Sequence, residues 1–215
     1  MLTSRRATVY QIATVDSSNR PHVRSQIHRG FLTPPGLPHL PLLLTSTDSR
    51  TPKTKQLAHT DFVELAWWID GSADQFRVLG RARLVSSAGI SPARTPPECA
   101  GLAALDAAGF DWEGARRGQF DDVSEHMRAS WCRPPPGDVL PGGYEEMDSW
   151  PTTVKKPSDA RTEEEKALAA EALGNYALVV IEPLEVDWVQ MAIRPNRRTR
   201  FTRVDDGWEE VPVVP

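Results

Sequence analysis

The spacing of apolar and polar positions divides the chain into three stretches. Thr8 to Val15 alternates and meets a turn at Asp16-Ser17-Ser18-Asn19, which predicts a strand and its exit. Pro21 to Phe31 reads as the next strand, and a Pro/Gly-rich loop follows over Thr33 to Pro41. Leu40 to Thr45 is a compact apolar strand, and Lys53 to Leu57 opens a short helix. Val63 to Ile69 and Phe76 to Val85 are strand-like, with Trp67 and Trp68 facing opposite sides because side chains alternate. Several short strands with turns between them predict a mainly β domain, a barrel or sandwich.

The middle stretch loses this rhythm. Ser86 to Gly118 is rich in Ala, Gly, Pro and Ser and shows no period, so it reads as a loop-rich insertion of about residues 86–118. Phe120, Val123, Met127 and Trp131 have helical spacing, and prolines 134 to 136 end that helix. Thr162 followed by Glu165 is a capping box, opening a helix to about Leu173 with Gly174 closing it. Strands return at Tyr176 to Ile181 and Glu185 to Met191. Thr199 to Val204 and Trp208 to Val211 form a hairpin on Asp205-Asp206-Gly207.

Composition narrows the class. At 215 residues the chain has room for one core, so residues 1–215 are expected to form one domain. A formal net charge of -4 lacks the footprint of a nucleic-acid binder. Two cysteines, Cys99 and Cys132, give neither a disulfide framework nor a metal spacing. The five histidines show no ligand spacing, so no metal is expected. The absence of an apolar run long enough to span a bilayer argues against a membrane, and the start M-L-T-S-R-R lacks the apolar core of a secretory signal. A cytoplasmic location is the expectation. Nucleotide loops of the Walker and GxGxxG kinds and the G-x-S-x-G elbow are absent.

Three segments in order carry the candidate chemistry: R-S-Q-I-H-R-G-F (24–31), L-T-S-T-D-S-R-T-P-K (44–53) and D-Q-F-R-V-L-G (74–80). Each mixes a strand-like apolar pattern with fixed cations and small hydroxyls, as a phosphorylated, flat aromatic ligand requires. Ser49 to Lys53 lies between a strand and a helix start, where free N–H groups and cations attract an anion; a solvated basic turn is the plainer reading. Gln75 and Arg77 share a strand face, suited to the polar edge of a heterocycle or simply to solvent. Arg24 and Gln26 share a face, while Arg29 has the opposite parity. Two ligands, or two subunits sharing one site, would reconcile them. Trp188, Arg194, Asn196, Arg197 and Arg198 are either a basic loop after a core tryptophan or the closure of an anionic pocket.

The order of these segments resembles the pyridoxamine 5'-phosphate oxidase family, whose members are FMN-binding split β-barrels, and within it the branch typified by a cyanobacterial FMN-binding domain. The likeness covers about residues 8–85 and, less fully, 176–212. It implies FMN as cofactor, a homodimer with the flavin at the subunit interface, and a small-molecule substrate. It places Arg24, Arg50 and Lys53 on the phosphate with Leu44 and Thr45 alongside it, Ser25, Gln26 and Ile27 along the flavin, and Gln75, Trp188 and Arg198 around the ring. Arg29, Arg194 and Asn196 fall on the substrate side. Asn196 stands where the oxidases have histidine, and the middle-helix cluster of the oxidases has only Arg128 as a counterpart. The flavin would carry the chemistry, with no side chain as covalent catalyst. The implied activity is hydride transfer from a small substrate to FMN with reoxidation by oxygen. The alternatives are an NAD(P)H-dependent flavin or quinone reductase, or a non-catalytic flavin- or haem-binding protein.

Overall fold

The structure, a computed structural model, describes residues 8–205 and 207–215. Asp206, the middle residue of the expected hairpin turn, lies outside the described residues, as does the N-terminal M-L-T-S-R-R. Alternation builds the first hairpin. Strand β1 (Val9–Val15) buries Tyr10, Ile12 and Thr14 and leaves Val9 and Gln11 outside. β2 (Pro21–Ile27) returns antiparallel, placing Arg24 opposite Ile12. Asp16 shapes the turn by accepting the backbone N–H groups of Ser18 and Arg20 at 2.8 and 3.0 Å.

The strand expected through Phe31 breaks at His28 and Arg29. Gly30 takes φ 136°, which a side chain would oppose, and the chain moves to a new partner. Residues beyond it form β3 (Gly30–Leu32), paired with β4 (Leu42–Asp48). Next come α1 (Pro52–His59), β5 (Phe62–Ile69), β6 (Asp74–Ser86) and β7 (Gly89–Ser91). Helices α2 (Ala100–Ala107), α3 (Trp112–Asp121), α4 (Glu125–Ala129) and α5 (Glu163–Asn175) follow. The chain ends in β8 (Tyr176–Gln190), β9 (Arg197–Val204) and β10 (Gly207–Val213).

The sheet runs β10-β9-β8-β6-β5-β1-β2, and β4 pairs with the first half of β8. β4 also touches β2: Gln26 donates to the Ser46 carbonyl, and Thr45 Oγ1 donates to the Ile27 carbonyl at 2.8 Å. The strands β2-β1-β5-β6-β8-β4 therefore curl into a barrel. Its interior holds Tyr10, Ile12, Leu43, Leu65, Val78 and Ile181 among others. The opposite face of β4 and β8 presents Leu42, Leu44, Leu178 and Val180 to the helices. β4 and the first half of β8 are thus buried on two faces, which is why Leu42–Leu44 and Ala177–Ile181 read as short continuous apolar runs.

Three further sequence expectations change. The strands expected at 176–181 and 185–191 are one, β8. Pro183 is tolerated inside it because it lies opposite Gly80, where the ladder to β6 shifts register. The helix expected over 120–131 is broken, since Ser124 caps a new start at α4 with its side chain accepting from Met127 N.

The segment 86–118, expected to be loop-rich, carries α2 and most of α3. Leu102, Leu105 and Trp112 enter the helical core. Two polar anchors fix it. The fully buried Glu182 accepts the Gly101 and Leu102 N–H groups at 2.9 and 2.8 Å, at the positive start of α2. The Asp106 carboxylate takes Arg83 Nη2 at 2.8 Å and Trp112 Nε1 at 3.0 Å. α2 is too short and too uniformly apolar to show a period, so its helix was not legible.

Candidate functional site: an uncompensated cation pair beside helix α1

Arg24, on the inner face of β2, reaches toward α1. Its Nη1 donates to Thr14 Oγ1 at 2.5 Å and to the His22 carbonyl at 3.0 Å, and its Nη2 donates to Gln56 Oε1 at 3.0 Å. Lys53, from the first turn of α1, donates from Nζ to Gln26 Oε1 at 2.6 Å. Every one of these acceptors is neutral. Among the described residues, neither cation has a carboxylate partner.

Lys53 is only 8% exposed. Its burial, together with the Arg24 charge, holds the amine down at about 8, and burial also lowers Arg24. Pro52 opens α1 at a position that needs no N–H, and the Thr51 side chain does not cap the helix. Two converging cations beside a helix start, one buried and one half-buried and both short of negative charge, fit a phosphate. These residues therefore suit the phosphate of FMN.

A pH signature follows. In the ligand-free protein Lys53 releases its proton near pH 8, whereas the unfolded chain keeps it to about 10.5. Between those values the unfolded state binds more protons, so stability should rise with pH across that window. Denaturant melts of the wild type and of Lys53→Met over this range check it. The rise should vanish in the variant and shrink when an anion is bound.

Arg50 does not join the pair. It sits bidentate on Asp48, with Nε to Oδ1 at 3.0 Å and Nη2 to Oδ2 at 2.7 Å, and Nη2 also reaches the Trp131 carbonyl at 3.3 Å. Its charge is already matched, and it ties the β4–α1 turn to the helical layer. Thr45 lines the barrel side of β4, while Leu44 belongs to the helical core. Ser25 is on the outer face of β2, and Ile27 shares that face by alternation.

The parity conflict between Arg24 and Arg29 dissolves at the strand break. Arg29 N donates to the Leu44 carbonyl at 2.7 Å, and its Nε donates to Ser46 Oγ at 3.2 Å. Gln26 and Arg29 thus meet at Ser46. The Ser46 side chain faces away from Thr45 and Thr47, so Arg29 lies on the opposite face of β4 from those residues.

A second group gathers on the far side of the barrel. Gln75 and Arg77 share the outer face of β6, with Arg77 Nη2 donating to Gln75 Oε1 at 3.2 Å. Arg198 on β9 holds Asp187 through Nε, at 2.8 and 3.0 Å to its two oxygens. That pairing draws the Asp187 carboxyl below its ordinary range. Trp188 has the other parity. It stacks on Phe76 with ring centres 5.9 Å apart, and its Nε1 donates to Asp74 Oδ1 at 3.0 Å. Trp188 and Arg198 therefore face opposite sides of the sheet within one chain. Arg194 and Asn196 are exposed in the β8–β9 turn.

β6 is three strands from β2 in either direction round the barrel. Gln75 and Arg198 therefore stand apart from Arg24 and Lys53 in the same chain. Arg128 is no ligand residue: it is buried and donates to backbone carbonyls. Sequence reasoning passed over Thr14, Gln56 and Asp187. Gln56 carried a signal, since it lies three residues after Lys53 and so on the same face of α1.

An apolar cavity of about 430 Å³ opens at the barrel mouth, lined by Phe31, Leu43, Trp67, Phe76, Val186 and Trp208 among others. Among the described residues, no cluster of side chains could hold a metal ion, and no helix is long and apolar enough to cross a membrane.

Residues 2–86 match the family described as pyridoxamine 5'-phosphate oxidase, FMN-binding domain. That span contains Arg24, Lys53 and Gln75. Over 77 residues the chain is 30% identical to pyridoxine/pyridoxamine 5'-phosphate oxidase 2 of Arabidopsis thaliana, a match covering 36% of each protein. A solved pyridoxamine 5'-phosphate oxidase-related, FMN-binding protein from Nostoc punctiforme superposes with a TM-score of 0.66 at 22% identity, over 98% of this chain and 90% of that one. The fold is the FMN-binding split β-barrel. PhzG from Burkholderia lata, solved with tetrahydrophenazine-1-carboxylic acid, aligns with a TM-score of 0.62 at 15% identity, over 99% of this chain and 84% of that one.

Proposed function

We propose that this chain is an FMN-dependent oxidoreductase related to pyridoxamine 5'-phosphate oxidase. The observation that carries the reading is the uncompensated pair Arg24 and Lys53 within the matched span. These cations would hold the FMN phosphate, with Gln26 orienting Lys53 and Gln56 orienting Arg24. Thr45 would lie alongside, and Ser25 and Ile27 would line the flavin from the outer face of β2. The bound flavin would supply hydride acceptance from a small substrate and reoxidation by oxygen.

The distance between Gln75 and Arg24 round the barrel supports a homodimer, in which a second copy brings Gln75 and Arg198 to the flavin. Their fixed dipoles and charge would orient the ring edge. Arg29, Arg194 and Asn196 are then left for the substrate. Asn196 is neutral at every pH, so it can donate a hydrogen bond but cannot shuttle a proton.

The test is the visible spectrum of the purified protein, before and after anaerobic addition of pyridoxamine 5'-phosphate. A flavin spectrum that bleaches and returns with air is the expected result. A protein that neither carries nor takes up FMN would overturn the reading. Bleaching by NAD(P)H alone would move the function to a flavin or quinone reductase.

A further inference from the structure

Residues 136–149 stand off the body of the protein. Within this arm only Leu140 and Glu146 escape full exposure. Val139 and Tyr144 are each 85% exposed, and Met147 is exposed as well. The helical turn Gly143–Ser149 buries no residue. Its hydrogen bonds close on the arm itself: Gly143 N to the Leu140 carbonyl at 3.0 Å, Trp150 N to the Met147 carbonyl at 3.2 Å, and Gly142 N to the Glu146 side chain. Solvent-facing apolar side chains on a self-contained arm mark a contact surface.

The arm is also of one sign. It carries Asp138, Glu145, Glu146 and Asp148 and no lysine or arginine. The β8–β9 turn is its complement. Arg194 and Arg197 are exposed there, without ion-pair partners among the described residues, while the neighbouring Arg198 is spent on Asp187. The turn too has an exposed apolar side chain, Met191. Other arginines on β9 already have acidic partners, Arg200 on Glu185 at 3.7 Å and Arg203 on Glu182 at 3.5 Å.

We propose that the arm of one copy docks on the β8–β9 turn of a second copy, with its carboxylates against Arg194 and Arg197 and its apolar side chains over Met191. The inference rests on the shared-site reading above and adds which surfaces meet. Two-fold symmetry makes the contact twice, since each chain offers both an arm and a turn. Its consequence is that the arm lies beside Arg194 and Asn196 of the other copy and closes the substrate side of the site.

Sedimentation velocity of the full chain loaded with FMN, at low salt, tests it. Glu145→Lys with Asp148→Lys, and separately Arg194→Glu with Arg197→Glu, should each weaken dimerisation by about tenfold or more. A chain carrying all four changes regains the complementarity and should dimerise within about threefold of wild type. Raising the salt should weaken the wild-type dimer. Unchanged association in both pairs of variants overturns the contact and leaves the flavin reading standing. So does weakening without recovery in the fourfold chain. A wild type that stays monomeric at about 100 µM with FMN bound overturns both the contact and the shared site.

Discussion

Replacing Arg24 and Lys53 together by alanine should yield a folded protein that no longer retains FMN. Each cation would donate a charge-assisted hydrogen bond to the phosphate, worth roughly 1.5–3 kcal/mol, so the pair accounts for about 3–6 kcal/mol. That corresponds to a loss of about 10²- to 10⁴-fold in affinity, read by fluorescence titration of the ligand-free protein with FMN. The fold should survive. Buried Lys53 and half-buried Arg24 are held at a cost, against neutral acceptors and against each other, and the Lys53 amine already sits at about 8. Removing them relieves repulsion, so the thermal midpoint of the ligand-free variant should not fall.

The control that gives this result meaning is Arg50→Ala. Arg50 is satisfied by Asp48 and the Trp131 carbonyl, so its loss should cost FMN affinity far less than either single change at Arg24 or Lys53. If Arg50→Ala alone releases the flavin and the double variant stays loaded, the cradle has been assigned to the wrong cations.

Legibility followed the local rules of the backbone. Strand alternation placed Arg24 with Gln26 and Gln75 with Arg77, and the capping box at Thr162 was readable because both partners lie within one turn. What escaped depended on which partner a side chain takes and which way a strand turns it. Arg50 reads like Lys53 in the sequence, and only the buried Asp48 two residues earlier shows that its charge is taken. Trp188 and Arg198 were grouped by nearness, whereas β8 and β9 turn them to opposite faces of the sheet. Pro183 looked like the end of a strand, because the register shift at Gly80 that accommodates it lies on another strand. α2 is stabilised by Glu182, about 80 residues further along the chain, a contact without local signature.

Arg128 shows the same dependence on distant partners and carries the largest expected effect on stability. The resemblance made it the nearest counterpart of the oxidases' middle-helix cluster, yet the residue is only 4% exposed. Nε donates to the Val154 carbonyl at 2.9 Å, and Nη1 faces the Phe120, Asp121 and Val123 carbonyls, the Asp121 contact at 3.2 Å. Those carbonyls lie at and just past the C-terminal end of α3, the negative pole of its dipole, so the cation supplies the counter-charge there. Val154 anchors the far end of the loop that carries the acidic arm. Arg128→Leu keeps much of the side-chain volume but strands these acceptors away from water, at about 1–3 kcal/mol for each one left unsatisfied. A net loss of about 3–5 kcal/mol is expected, a fall of roughly 6–20 °C in the melting temperature of a chain this size. Arg116→Leu should cost less. Arg116 is as deeply buried and holds the Leu173 and Tyr176 carbonyls at 2.6 and 2.9 Å, but its partner Glu113 is half exposed and can turn to solvent. Paired denaturant melts decide the order. Equal losses would mean that the carbonyls at the end of α3 find water or other donors, and that Arg128 has a role the carbonyl contacts do not explain.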